Sequence, residues 1–558
     1  MNWEEKIKGR LKAIYKNDEA VKVAWRKLNQ KLLKYPETSG FTKELSQQDI
    51  MLITYGNTFQ DNGKPGLQVL KTFMDRYVKR AVNDIHILPM YPYTSDDGFS
   101  IVNYREINPE LGNWNDIHEL STEYELMFDA VINHVSRSSN WFQEYLKCNP
   151  PYNDFFITCD PDEDYSSVTR PRALPLLTKV KTKEGEKYVW TTFSTDQIDL
   201  NYKCPDVLAE IIDTLLFFTR QGASFIRLDA IGFTWKTLGT SCMSQPETHE
   251  IIKLIKDVFE KYAPGTKIIT ETNVPQKENY SYFGNGQDEA DLIYQFPLPP
   301  LTMYTFLTGD SSVISTWLEK QILPGAHVAF FNFLSSHDGI GMRQVEGILT
   351  EKQKQILINA TVENGGRVSY KDNGDGTQSP YELNINYQDA LAGPDASDEV
   401  RIRRFLAAET LLLSLQGVPG VYIHSLIGSR NDYKDVTVTG INRKINRAVI
   451  DLSYIEKQLD SNTNRAHIFW TLVARMNIRK EHSAFSPFAE QRIYKTDRRV
   501  IEFERMSSDE KILVLINVTG EIIEILDDGG EGTDLLTGHH VSGSKVLAPY
   551  QCMWIVLS

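Results

Sequence analysis

Apolar residues near the N-terminus recur every three to four positions: Trp3, Ile7, Leu11 and Ile14, then Val21, Trp25, Leu28, Leu32 and Tyr35. That period predicts two amphipathic helices in an N-terminal extension. From residue 49 the pattern changes. Continuous apolar runs with strand character, DIMLITYG (49–56), DIHILPMYP (84–92) and YELMFDAVINH (124–134), alternate with helix-period segments such as 66–81. The alternation goes on through a helix at 207–221 closed by Gly222, strand SFIRLDAI (224–231) and a helix at 248–265. Strand TKIITET (266–272), strand HVAFFNFLSSHDG (327–339) and a helix at 401–416 follow, with GVYIHS beyond.

Strands separated by helices from residue 49 to beyond residue 420 predict an α/β protein with a parallel sheet. At this length a closed (β/α)8 TIM barrel is favoured over an open sheet. The glycine-rich phosphate loop of a dinucleotide fold is missing from the first strand-to-helix turn. Two stretches break the alternation: 141–204, rich in aromatics and proline, and 342–398, with the turn-rich YKDNGDGTQSP. Both read as insertions on loops that follow strands, where barrels build their active sites. From about residue 490, short alternating runs such as RVIEFER and KILVLINV predict antiparallel strands. The expected organisation is therefore an N-terminal helical extension (1–47), a barrel in three pieces (48–140, 205–341, 399–488), an inserted domain B (141–204), an inserted loop domain (342–398) and a C-terminal β domain (489–558).

Composition narrows the class. Of 558 residues, 41% are hydrophobic and 24% charged, as in soluble multi-domain proteins. The net charge of -14 argues against nucleic acid or an anionic membrane as the main partner. MNWEEKIKGRLKAIY lacks the apolar core of a signal peptide, and no apolar run is long enough to span a bilayer. The five cysteines are scattered, odd in number and without metal-like spacing. They suit reduced thiols, and a cytoplasmic protein is expected. Oligomeric state stays open, with a homodimer allowed.

The candidate chemistry sits at strand ends. Arg227 and Asp229 interrupt an otherwise apolar strand and, being two apart, share a face. A lone buried charge there is costly, so the two are expected to compensate each other, the guanidinium keeping Asp229 anionic. A structural ion pair inside a barrel is the alternative. Glu271 and Asp338 close two further apolar strands. One such acid is as readily a helix cap or a loop residue; three spaced along successive barrel strands are not. Paired carboxylates are the minimum for retaining glycoside chemistry, one ionised as nucleophile and another kept protonated by burial and nearby anions.

FDAVINH (128–134), FIRLDAIG (225–232), IITETN (268–273) and FLSSHDG (333–339) resemble, in order, the four motifs of the α-amylase superfamily. The resemblance implies that Asp229 is the nucleophile, Glu271 the acid/base and Asp338 the stabiliser of the oxocarbenium-like transition state. His134, Arg227 and His337 then match positions that grip the glucosyl ring. GFTWKTLGTSC (232–242), SSHDGIG (335–341), GVPGVYIHSLIGSRNDY (417–433) and NRKINR (442–447) are similar to the sucrose phosphorylase branch. By that similarity Asp96, Phe99, Phe193, Gln197 and Arg443 line the glucosyl subsite.

Within the branch, the N-terminal extension, VTRPRALPLLT (168–178), ITETNVPQKENYSYFG (270–284) and GTQSPYELN (376–384) resemble the members that act on glucosylglycerate. The resemblance implies phosphorolysis of that glucoside to α-glucose 1-phosphate and glycerate. Sucrose, sucrose 6'-phosphate or glucosylglycerol as substrate are the alternatives, as are a hydrolase or transglucosidase on the same core and a non-catalytic relative. Sucrose phosphorylases carry an aspartate two residues before the tyrosine that is Tyr381 here. Ser379 stands there instead, which suits an anionic acceptor. Arg170 and Arg172, on a loop expected to overhang the site, are candidates to bind that anion or phosphate, or else form surface ion pairs. No organic cofactor is implied beyond inorganic phosphate as co-substrate. No metal is implied either: Asn133 matches a calcium position of amylases, and the phosphorylase branch generally lacks that ion.

Overall fold

A computed structural model of the protein describes residues 2–38, 43–172, 174–372, 377–393, 396–526 and 530–557. Among these, eight short and mostly buried strands form the core: β1 Met51–Thr54, β2 Asp84–Ile87, β3 Glu125–Val131, β4 Ala223–Asp229, β5 Lys267–Thr270, β6 Leu292–Tyr294, β7 Ala329–Phe333 and β8 Val418–Tyr422. Each pairs in parallel with its neighbours in sequence, and β8 returns to β1 with Gly420 opposite Met51, closing the expected barrel. Covered on both faces, such strands read as apolar runs rather than as alternating ones.

Two expectations need correction. β6 had no sequence signal: three apolar residues between Asp291 and Gln295 are too few to show a period. The strands that lead to Glu271 and Asp338 are therefore not successive, because β6 stands between them. Nor does Asp338 end a strand. β7 stops at Phe333, and Asp338 lies on the loop beyond it.

The N-terminal helices, α1 (Trp3–Tyr15) and α2 (Asp18–Leu32), are each capped by an asparagine, Asn2 and Asn17, whose side chain accepts backbone N–H groups of the first turn. They dock on the two barrel helices around β4, α3 (Pro205–Arg220) and α4 (Pro246–Tyr262). Trp3 donates its indole N–H to the Asp257 carbonyl at 2.8 Å, Lys6 and Arg10 converge on the buried Asp257 carboxylate at 2.7 and 2.9 Å, and Tyr35 donates to the Asp213 carbonyl at 2.9 Å. The extension thus braces the outside of the wall that carries Asp229. Where α3 hands over to β4, Gly222 adopts φ +104°, and a Cβ there would lie 2.8 Å from that of Ser121. Only glycine fits that turn.

Both insertions fold at the rim. Between β3 and β4, Thr158–Cys159, Leu177–Thr182 and Gly185–Trp190 form a three-stranded antiparallel sheet, and Gln197–Asp199 pairs with His134–Ser136. Beyond β7, helix Glu351–Glu363 precedes a hairpin, Arg367–Asp372 with Gln378–Asn384, whose second strand also pairs with Ile340–Gly341. Residues 373–376, in the middle of the turn-rich stretch, lie outside the described residues. A six-stranded antiparallel sheet between Glu490 and Leu557 packs on helix Asp398–Ser414, fixed by buried Arg505, which donates to the Ser414 carbonyl at 2.8 Å.

Candidate active site

At the C-terminal ends of the strands lies a cavity of about 1500 Å³, its open mouth included. Its floor follows from strand register. β3 and β4 pair with Asp129 opposite Arg227, so the buried guanidinium contacts the Asp129 carboxylate directly while reaching Asp229 Oδ1 at 2.7 Å. His86 Nε2 approaches Asp129 from the other side at 2.6 Å, and Arg227 Nε donates to the Tyr294 hydroxyl at 3.1 Å. Arg227 is thus shared between two carboxylates, which alters the expected electrostatics. Burial pushes Asp229 well above the usual carboxylate range. Arg227 opposes this, and the negative charges of Glu271 and Asp129 add to it. The guanidinium beside Asp229 is therefore not enough by itself to hold that group anionic. Glu271 is also raised, first by burial, with Asp338 and Asp129 adding to it, against Arg227 and a backbone N–H. The charge of Glu271 bears on Asp229, so the two sites are not independent. With one proton between them, it belongs on Glu271, because only Asp229 has a guanidinium in direct contact.

The backbone N–H that reaches Glu271 belongs to Ala230, which donates to Oε2 at 3.0 Å. Ala230 has φ +49°, a left-handed conformation unfavourable for alanine by about 1–2 kcal/mol. The strain turns the peptide after Asp229 toward the carboxylate that ends the neighbouring strand.

Asp338 is held by its surroundings rather than by a strand. Asn446 Nδ2 donates to the carbonyls of Ser336 and Asp338 at 3.0 and 3.1 Å, and Arg447 Nε donates to that of His337 at 2.6 Å. Arg443 reaches Asp338 Oδ1 at 2.6 Å and also binds both oxygens of Glu382, at 2.8 and 3.1 Å. Although burial pushes Asp338 upward, Arg443, with His337, Arg447 and Arg227, holds it well below the usual carboxylate range. Burial drives His337 down to about 3, so its imidazole is neutral.

The remaining sequence candidates form one wall. The His337 ring stacks on Phe99 with centroids 5.0 Å apart, and His134 Nε2 and Gln197 Nε2 donate to the Phe99 carbonyl at 2.9 and 3.1 Å. Gln197 also donates to Asp96 at 3.2 Å, and Arg172 donates to Asp96 at 2.8 Å while its guanidinium lies over the Phe193 ring. Burial opposes ionisation of Asp96, but Arg172, Arg443 and Arg447 bring it down to about 2. Asp96 and Asp97 are both left-handed, φ +56° and +50°; Lys444 and Arg447 hold the Asp97 carboxylate at 2.7 and 2.6 Å. Below the wall, Lys236 Nζ bridges Asp199 Oδ2 and Asn133 Oδ1 at 2.5 and 2.9 Å, tying domain B to the loop after β4.

Asp96, Phe99, His134, Arg172, Phe193, Gln197, Arg227, Asp229, Glu271, His337, Asp338, Tyr381 and Arg443 all line this cavity. Arg170 does not. It is exposed and donates to the Leu174 carbonyl. Ser379 also lies outside the lining, opposite Lys371 in the hairpin, and the residues that line the cavity from that strand are Tyr381 and Glu382. Sequence reasoning missed His86 and Tyr294 in the floor, and Asn273, Arg343, Gln344 and Glu382 at the mouth. It also overlooked Asp129, although an acid inside FDAVINH is the same anomaly that drew notice to Arg227.

The family model described as Alpha amylase, catalytic domain, matches residues 55–339. A glucosylglycerate phosphorylase of Allomeiothermus silvanus is 47% identical over 92% of this chain and 91% of its own length. One of Escherichia coli (strain K12) is 42% identical over 92% of each. The crystal structure of sucrose 6F-phosphate phosphorylase from Thermoanaerobacter thermosaccharolyticum superposes with a TM-score of 0.76 at 26% identity, over 90% of this chain and 98% of that one.

Proposed function

The chain belongs to the alpha-amylase family, and on that premise we infer that it is a retaining glycoside phosphorylase. It cleaves 2-O-α-D-glucosylglycerate with inorganic phosphate, giving α-D-glucose 1-phosphate and glycerate. The observation that carries this reading is the near full-length similarity to two glucosylglycerate phosphorylases. The convergence of three acids on one sugar-sized cavity supports it.

In the mechanism we propose, an Asp229 oxygen bonds to the anomeric carbon while the bond to glycerate breaks. The Glu271 proton passes to the departing oxygen. A β-glucosyl-enzyme results. Phosphate then occupies the vacated position and attacks the same carbon; its proton goes to Glu271, and Asp229 is released. Two inversions leave the α configuration. Asp338, kept ionised by Arg443, acts mainly when positive charge builds on the ring. Domain B and residues 340–344 and 381–385, which line the cavity from its two sides, are the elements that would keep water from the intermediate. The reaction as proposed uses no cofactor or metal. The odd, scattered cysteines suit the reducing cytoplasm as its compartment.

Among the described residues, no helix is long and apolar enough to cross a membrane. The test is direct: incubate the protein with phosphate and, in parallel, glucosylglycerate, glucosylglycerol, sucrose and sucrose 6'-phosphate, then assay α-glucose 1-phosphate. Rapid release from glucosylglycerate is expected. Release from another donor with glucosylglycerate inert would overturn the substrate assignment.

A further inference from the structure

Four arginines line the cavity, and three are already committed. Arg227 contacts Asp129 and Asp229, Arg443 contacts Asp338 and Glu382, and Arg172 contacts Asp96. The fourth, Arg343, follows the Asp338 loop on a short 3-10 turn, Arg343–Val345, and is half-buried. Its side chain has no ion pair or hydrogen bond with any described residue. Around it the cavity is strongly acidic, with Asp96, Asp229, Glu271, Asp338 and Glu382 in the lining. An anion entering such a space meets net repulsion unless a cation is free to receive it. Arginines held by carboxylates supply little, because their donors and their charge are taken.

The neighbours of Arg343 complete a receptor of a particular kind. Gln344, 2% exposed, donates to the Asn273 carboxamide oxygen, and Asn273 donates weakly to the Tyr381 hydroxyl at 3.4 Å. Gln344 Oε1 is buried without a hydrogen-bond partner among the described residues. The close packing depends on Gly341, since a Cβ there would come within 2.3 Å of Gln344 Oε1. This side of the mouth therefore offers neutral donors and acceptors, an unfilled acceptor for a hydroxyl, and one uncommitted cation. Asn273 follows Glu271 by two residues, so the group lines the cavity beside the segment that carries the proposed acid/base.

We propose that Arg343 is the anion receptor of the acceptor subsite, holding the glycerate carboxylate in one half-reaction and phosphate in the other, with Gln344 accepting from a glycerate hydroxyl. The proposal rests on the phosphorylase reading above, and its test separates the two. Transfer from α-D-glucosyl fluoride, whose leaving group needs no anion receptor, is measured with glycerate and with glycerol as acceptors for wild type, Arg343→Gln and Arg343→Lys. Failure of the wild type to use glycerate sinks the glucosylglycerate reading itself. If the wild type uses it, the preference of Arg343→Gln for glycerate over glycerol should fall at least about tenfold, mostly through KM for glycerate, with Arg343→Lys keeping most of it. An unchanged preference in Arg343→Gln, or equal loss with both acceptors, overturns the role of Arg343.

Discussion

The two sides of the cavity are built on opposite electrostatic plans. On the glucosyl side every charge has an opposite within reach: Asp96 with Arg172, Asp97 with Lys444 and Arg447, Asp338 with Arg443. The side chains are locked before any ligand arrives. On the proposed acceptor side, Glu382 is taken up by Arg443, and the other polar groups are neutral amides and a phenol, with one arginine that has no ion pair among the described residues. A locked, charge-balanced surface suits a ring that is neutral and the same in every turnover. An uncommitted cation amid neutral groups suits two different anions that must exchange. The pKa directions follow the same division. Asp338, beside arginine, is held down, whereas Asp229 and Glu271, where the two sides meet, are pushed up by burial and by neighbouring carboxylates.

The comparison breaks first at the seam. Asp229→Ala should lower turnover by about 10⁴-fold or more, as loss of a covalent nucleophile does, with the circular dichroism spectrum unchanged. Near wild-type activity would refute the assignment. Glu271→Gln should cost about 10²–10⁴-fold with glucosylglycerate and far less for hydrolysis of α-D-glucosyl fluoride, which needs little protonation to depart. Because Glu271 works as the protonated form and its pKa is raised, wild-type kcat/KM should hold as pH rises past the ordinary glutamic acid value and fall only above it. Glu271→Gln should lack that alkaline limb; retention of the limb would assign it to another group.

On the locked side, Arg443→Met should cost about 10²-fold, the scale of one lost electrostatic partner in a closed site. Asp338, freed of its main cation, gains a higher pKa. The acid limb of the rate profile should therefore move to higher pH, activity being lost as pH falls through the raised value. A limb that stays in place would mean that Arg443 does not set the charge of Asp338. The smallest effect is expected at Arg170→Gln, whose side chain is exposed and turned to the Leu174 carbonyl. Kinetics with either anion should stay within about twofold, on the scale of an exposed side chain.

Legibility in the sequence followed burial. Strands covered on both faces announce themselves as apolar runs, so a charge inside one stands out, and Arg227, Asp229 and Glu271 were visible for that reason. Asp129 carried the same signal. β6 was too short to carry any, and Asp338, though readable as a motif residue, owes its place to Asn446 and Arg447 across the loop, contacts that no local pattern encodes. Loop arginines were the hardest. Arg170 and Arg172 look alike in RPR, yet one turns outward and the other meets Asp96. Arg343 lies in a stretch with no period at all, and only its lack of a partner among the described residues singles it out.

Closure of the barrel has a consequence for when activity can appear during synthesis. Met51 pairs early with Asp84 of β2, but its second neighbour, Gly420 of β8, is made only long after all three acids have left the ribosome. A nascent chain ending at residue 400 carries all three acids, yet lacks the last stave of the barrel as well as Arg443, Asn446 and Arg447, which fix Asp338. Glucosyl transfer is therefore a property of the nearly finished molecule, and truncated products should be inert toward the cell's sugars.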